Sequence, residues 1–140
     1  MSGRPVPVPD ESSAPFWSAA VEHVLTAARC GQCGQFTLPP DVVCPHCHSS
    51  DPQFEFTPVS GRGTVRSWTV VRQALLPGFD DDLPFVLVDV ELVEQTDLRL
   101  IGRLLDGPDA LDAHLHVGDA VTVGFEDLAP GVAVPAFELA

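Results

Sequence analysis

The sequence predicts a mainly β chain in two parts. A short helix leads into a small metal-stapled module, and an antiparallel barrel of five short strands follows. Three observations carry this. Cys30-Gly-Gln-Cys33 and Cys44-Pro-His-Cys47 are two CxxC pairs separated by ten residues. Residues 30–57 are too short and polar to make an apolar core alone, and modules of that size lean on a metal or on disulfides. From Ser60 onward, β-branched residues near-alternate in short runs bounded by turn residues.

The elements follow in order. Residues 1–13 are rich in Pro and Ser and lack periodicity, so they are expected to be a flexible arm. Ser12 or Ser13 can cap a helix that carries Pro15 in its first turn, where a missing N–H costs nothing. Phe16, Ala19, Ala20 and His23 or Val24 share its face, and Val24 to Arg29 reads as a strand leading to Cys30. The helix and metal module are placed at 14–57 and the barrel at 58–140. In the barrel, Thr64 to Arg72 reads TVRSWTVVR and Phe85 to Val93 reads FVLVDVELV. Val88, Val90 and Leu92 can face the core while Asp89 and Glu91 face water. Leu98 to Leu105, Ala120 to Phe125 and Val132 to Leu139 are the remaining strands, the last weakened by Pro135. Asp109 to His114 is expected to form one helical turn.

Charge narrows the function. Twenty acids face seven bases, a formal net charge of -13, and every base is arginine. Residues 1–57 carry six acids and two arginines, net -4; residues 58–140 carry fourteen acids and five arginines, net -9. Without lysine there is no Schiff-base chemistry and no Lys-bearing phosphate loop. Nucleic-acid binding normally shows a basic footprint, which this chain lacks. MSGRPVPVPDESSAP has no apolar h-region, and no window approaches the ~18 apolar residues of a membrane span. The chain is therefore expected to be cytoplasmic, where thiols stay reduced and four cysteines point to metal before disulfides.

Each CxxC turn places two sulfurs on one side of a tight loop. Two facing knuckles supply Cys30, Cys33, Cys44 and Cys47 at tetrahedral positions. Soft ligands in that geometry favour zinc, with iron second. Four sulfurs leave no open position, so the site is expected to be structural. Gly31 and Gly34 relieve crowding where amides approach the sulfurs. His46 and His48 read as loop residues, because four thiols already suffice. His114 and His116 share a face but lack a third partner. Asp80, Asp81 and Asp82 lack the glycine and spacing of a calcium loop and read as a solvated turn. There is no G-x-S-x-G elbow, and no cysteine is left over as a nucleophile. No catalytic residue of the chain's own is expected.

The order of motifs resembles a known family. Pro15-Phe16-Trp17 opens the helix, then come Cys30-x-x-Cys33-Gly34, Pro39-Pro40 and Cys44-Pro45-x-Cys47. Gly61-Arg62-Gly63-Thr64-Val65, Ser67-Trp68-Thr69-Val70-Val71, Pro84-Phe85-Val86, Gly118-Asp119-x-Val121 and Pro135-x-Phe137 follow. Across residues 14–140 this is similar to the acyl-CoA-associated zinc-ribbon/OB-fold proteins, long catalogued as a domain of unknown function. Asp41 departs from the pattern, which has arginine there, and removes the ground for an anion contact from that loop.

The resemblance implies an N-terminal helix with a rubredoxin-like zinc ribbon, then a five-stranded antiparallel OB-fold barrel. It also implies a non-catalytic subunit in a hetero-oligomer with a thiolase-like enzyme: a condensing enzyme, a thiolase, or a retro-aldolase of steroid side-chain degradation. The small subunit would stabilise that enzyme and shape its acyl-CoA site. Phe16 and Trp17 are adjacent, so one helix stripe cannot bury both, and one is expected to meet the partner. Arg62 and Arg66 are the candidates for acyl-CoA contact. Two alternatives stay open: a stand-alone acyl-CoA-binding module, and a single-stranded nucleic-acid-binding barrel, which would need a positive groove and stacking aromatics.

Overall fold

The computed structural model describes residues 4–112 and 115–140. Helix α1 spans Ala14–Val21 and carries Pro in its first turn, as expected. Its cap differs. The Ser13 hydroxyl makes no cap bond and instead accepts from the Asp10 amide at 3.1 Å. The Asp10 carboxylate accepts from the Ser13 amide at 2.8 Å and from the Ser12 hydroxyl at 2.9 Å. An acid four residues ahead of the helix thus organises its entry, an Asx-type turn. The Ser12 and Ser13 hydrogen bonds also hold the Asp10 carboxyl below its usual range. The helix stops before His23, which takes a left-handed φ of 60°. There the His23 ring stacks on Phe125, centroids 5.0 Å apart, and its Nε2 lies 2.9 Å from Asp127.

Three short strands form the ribbon sheet: β1 (Thr26–Arg29), β2 (Phe36–Thr37) and β3 (Glu55–Pro58). They are antiparallel in the order β2-β1-β3. The barrel uses β4 (Arg62–Val71), β5 (Phe85–Leu92), β6 (Arg99–Arg103), β7 (Ala120–Ala129) and β8 (Val132–Leu139), in the order β6-β5-β4-β7-β8. A parallel bridge from Leu104 to Phe137 closes the ring, with the Leu105 amide donating to the Phe137 carbonyl at 2.8 Å. A short helix α2 covers Asp109–Asp112. The expected turn there extended to His114, which lies outside the described residues.

The β5 alternation holds: Val86, Val88, Val90 and Leu92 are buried, while Asp89 and Glu91 are half-buried on the other face. With Val65, Leu104, Val121 and Phe137 they form one core, which Leu25 and Ala27 join from the ribbon side. Ribbon and barrel therefore share apolar packing at β1. Pro135 does not cut β8 short. It pairs opposite Phe125 on a strand whose other side lacks a continuous neighbour, where a missing N–H costs no ladder bond.

The Gly61-Arg62-Gly63 motif has a steric reason. A Cβ on Gly61 would collide with Val123, and one on Gly63 would sit 2.5 Å from the Glu91 carbonyl. These glycines let β4 lie against β5 and β7 at once. That double pairing ends early. β4 meets β7 only across Arg62–Thr64, and Val65 then exchanges bonds with Asp119 and Gly118. A bulge follows between Val65 and Ser67. From Arg66 to Val71 the strand pairs with β5 alone, and its outer edge has no backbone partner among the described residues.

Candidate metal centre and apolar cleft

The two CxxC turns are near copies. In the first, the Gln32 amide approaches Cys30 Sγ at 3.4 Å, and the Gly34 amide donates to the Cys30 carbonyl at 2.9 Å. In the second, His46 approaches Cys44 Sγ at 3.4 Å, and His48 donates to the Cys44 carbonyl at 2.9 Å. Gly34 and His48 occupy the same position and both have positive φ, 77° and 62°. Each knuckle buries its first sulfur residue and exposes its second. Arg29, at the end of β1, donates from Nε to the Gly34 carbonyl at 3.0 Å and fixes the first knuckle to the sheet.

All four Sγ atoms lie within 4.8 Å of one another. Cys30 to Cys47 is 3.8 Å and Cys33 to Cys44 is 3.7 Å. A tetrahedron with Zn–S bonds of about 2.3 Å has S–S edges of about 3.8 Å, so the donor set fits zinc. The site is a structural tetrathiolate zinc site: with four sulfur ligands, no position remains for a reacting molecule. The thiols themselves are electrostatically unequal. Amides of Cys47 and His46 aimed at Cys44 bring its thiol down to about 6. At Cys33 the Gln35 amide lowers the thiol, but burial and the neighbouring sulfurs outweigh it and push the thiol up to about 11.

The ribbon is locked to the barrel through one side chain that sequence reasoning missed. Gln95, in the β5–β6 turn, accepts from the Phe36 amide through Oε1 and donates to the Phe36 carbonyl through Nε2, both at 2.8 Å. It pairs with β2 as another strand would. His46 Nε2 lies 3.1 Å from the same carbonyl. His46 therefore ties the second knuckle to this seam rather than idling in a loop. An amide in a turn carries no distinguishing sequence signal. Beside it, Glu94 accepts from the Ser60 amide at 2.8 Å.

Phe16 and Trp17 are both half-buried and meet edge to face, centroids 5.0 Å apart. They line a cleft of about 480 Å³ where α1, the Leu38-Pro39-Pro40 loop, Phe56 and Ile101 converge. Its walls are almost wholly apolar apart from Ser13 and from Asp89 and Arg99, which pair at 3.0 Å. Trp17 also lines a small crevice together with Pro7 and Pro9 of the N-terminal segment. Arg4 of that segment pairs with Glu126 at 3.1 Å and lies over the Phe79 ring. The cleft joins residues far apart in sequence, so no local motif foretells it.

Three of the five barrel arginines are paired with acids. Arg66 pairs with Glu91 at 3.3 Å, Arg99 with Asp89 and Asp97, and Arg103 with Asp82 and Glu126. Arg62 and Arg72 are exposed and make no ion pair among the described residues. Asp82 departs from the expected solvated run through its pair with Arg103, while Asp80 and Asp81 are exposed. His116 belongs to a turn in which its amide donates to Asp119 at 2.8 Å; its expected neighbour His114 lies outside the described residues.

Comparison with known proteins agrees with this geometry. The family profile described as ChsH2, rubredoxin-like zinc ribbon domain, matches residues 17–53. The profile described as ChsH2, C-terminal OB-fold domain, matches residues 56–126. A DUF35 domain-containing scaffold protein of Methanothermobacter thermautotrophicus is 31% identical over 102 residues, 72% of this chain and 71% of that protein. A probable enoyl-CoA hydratase alpha subunit of Thermomonospora curvata is 31% identical over 135 residues; the match spans 96% of this chain but 39% of that protein. Among solved structures, a chain of an Ltp2-ChsH2(DUF35) aldolase superposes with a TM-score of 0.78 at 30% identity, covering 95% of this chain and 98% of that one. A DUF35 protein of Sulfolobus solfataricus, at 13% identity and a TM-score of 0.59, shares the fold.

Proposed function

The chain belongs to the ChsH2 family of rubredoxin-like zinc-ribbon/OB-fold (DUF35) proteins, and from that premise we propose that it is a non-catalytic accessory subunit of a thiolase-like acyl-CoA enzyme. The likeness to a chain of an aldolase complex over nearly the full length of both carries this reading. The closed zinc site supports it, since a metal without an open position holds a fold and does not activate a substrate. The partner is of the retro-aldolase, thiolase or condensing class, with steroid side-chain thioesters as the candidate substrates. Phe16 and Trp17 present the apolar cleft to the partner. Arg62 and Arg66 contribute to the acyl-CoA contact, with Arg62 the more available because Glu91 already neutralises Arg66. The working compartment is the cytoplasm, where thiols stay reduced for the metal; among the described residues, no helix is long and apolar enough to cross a membrane.

The test is co-expression with an Ltp2-type thiolase-fold chain. The expected result is a hetero-oligomer whose acyl-CoA turnover falls when this subunit is withheld. In that complex, Arg62→Ala with Arg66→Ala raises KM for the thioester without loosening assembly. A chain that stays monomeric and changes neither the stability nor the turnover of the enzyme sinks the reading. The alternative, a stand-alone acyl-CoA-binding module, predicts that the lone chain binds CoA as tightly as the complex does. The likeness to a hydratase subunit favours a second partner class. It is tested by the same co-expression with an enoyl-CoA hydratase in place of the thiolase-fold chain.

A further inference from the structure

The β4–β5 hairpin stays joined to β6 through β5, while its β4 side is uncovered. Arg66, Ser67, Trp68 and Thr69 are exposed in succession, so both faces of this stretch of β4 see solvent. Its backbone edge from Arg66 to Val71 has no partner among the described residues. At the end of the hairpin, Leu75 is 84% exposed and Leu76 56% exposed. Behind them, Val71, Ala74, Phe79, Phe85 and Leu87 line an apolar crevice of about 240 Å³. An open strand edge templates pairing with another chain, and natural proteins usually blunt such edges with charged residues, proline, bulges or a covering segment. Here Arg66 and the bulge stand at the start of the edge, and from Ser67 to Val71 it carries no charged residue and no proline.

The surrounding charge selects what can dock there. Asp80 and Asp81 are exposed beside the crevice and outnumber Arg72, the exposed arginine at the end of the edge, while Arg66 at its start is paired with Glu91; the chain as a whole carries -13. A second copy would bring the same acids to the same place and be repelled. An anionic membrane surface would be repelled for the same reason, although the leucines alone would suit it. A protein segment with basic residues is attracted.

We propose that this hairpin is a docking arm: a partner protein adds an extended, basic strand along Arg66–Val71 and seats an apolar side chain in the crevice behind Leu75 and Leu76. Main-chain bonds supply affinity in such strand addition, and the crevice and acids supply selectivity. The surface lies outside the cleft of Phe16 and Trp17, so it predicts a distinct contact. The inference rests on the accessory-subunit reading.

The experiment uses the full zinc-loaded chain and an Ltp2-type thiolase-fold chain as the probe. Amide exchange is followed with and without the probe, alongside binding by Leu75→Glu with Leu76→Glu and by Asp80→Lys with Asp81→Lys. These residues are exposed, and unchanged zinc content and melting confirm that the variants fold. The expected result is slowed exchange across residues 66–77 and binding about tenfold or more weaker for the leucine variant. The aspartate variant is expected to bind less tightly and with less salt dependence. A complex whose protection lies elsewhere, and whose affinity ignores both variants, overturns the docking arm and leaves the accessory role standing. Absence of any complex removes both. Self-association with protection at 66–71 assigns the edge to a second copy and also overturns the proposal.

Discussion

Between Cys30 and Gln53 the buried residues are Cys30, Cys44 and Pro52. In the barrel, β5 alone buries Phe85, Val86, Val88, Val90 and Leu92. The two regions are of one chain yet are held by different physics. Beyond its β1 seam the ribbon buries little apolar area to offset the entropy of ordering its loops, so its fold is bound to thiolate–metal chemistry, worth about 10–16 kcal/mol in comparable small zinc modules. The barrel removes valines, leucines and Phe137 from water at about 25 cal/mol per Å² and needs no metal. The shared β1 packing and the Gln95 bonds are where one regime hands over to the other.

The largest expected effect would break the comparison outright. Cys44→Ser should release zinc and abolish amide protection between residues 30 and 53, while the amides of β5 stay protected. Metal analysis and hydrogen exchange read both halves; a barrel that opens together with the ribbon would show the two regions to be one unit. Phe137→Ala inverts the experiment. It empties the centre of the barrel and should cost about 3–5 kcal/mol in urea unfolding, with the zinc-to-chain ratio unchanged.

Gln95→Ala probes the seam. It strands the Phe36 amide and removes one donor from its carbonyl, at a cost of about 1–3 kcal/mol. A chelator should then strip zinc faster, even though no ligand has changed. Unchanged zinc release would confine the seam to orientation alone. A smaller effect follows from the likeness of the knuckles. His48 adopts a conformation that Gly34 adopts without a side chain, so His48→Gly should be neutral or gain about 0.5–1 kcal/mol. Loss of stability would mean that the His48 side chain has a role beyond filling the turn.

The smallest is a pH effect confined to the barrel. The Asp97 amide, donating to Glu91 at 2.8 Å, holds that carboxyl below its ordinary value of 4.5, with Arg66 and Arg99 adding to the effect. The stabilisation is therefore present above the ordinary value and lost as pH falls through the lowered one. Urea midpoints from about pH 7 down to about pH 3 should decline less steeply in Glu91→Gln than in the parent.

The sequence made the two regions legible to different degrees, for the same physical reason. Metal ligation demands fixed spacing, so Cys30, Cys33, Cys44 and Cys47 announce themselves. One-sided burial demands alternation, so β5 could be read residue by residue. The ribbon strands β2 and β3 obey neither rule; their course is set by the sulfurs and by Gln95, and nothing in Phe36-Thr37 marks a strand. Pro135 argued against β8 until its edge position became visible. Asp10 caps α1 from a distance at which Ser12 and Ser13 looked better placed. The cleft of Phe16, Trp17 and Ile101 exists only once several separate segments have folded.

Gln95 acting as a surrogate strand has a consequence for chain length. Hairpin turns are where proteins ordinarily accept inserted residues at little cost. The turn joining β5 to β6 also orients the ribbon, because its third side chain must reach Phe36 on both the donor and the acceptor side. One added residue there would leave the barrel pairing intact while carrying the amide out of reach. The angle between the two regions is thus measured out by the length of a turn, at a place where variation in length would otherwise be free.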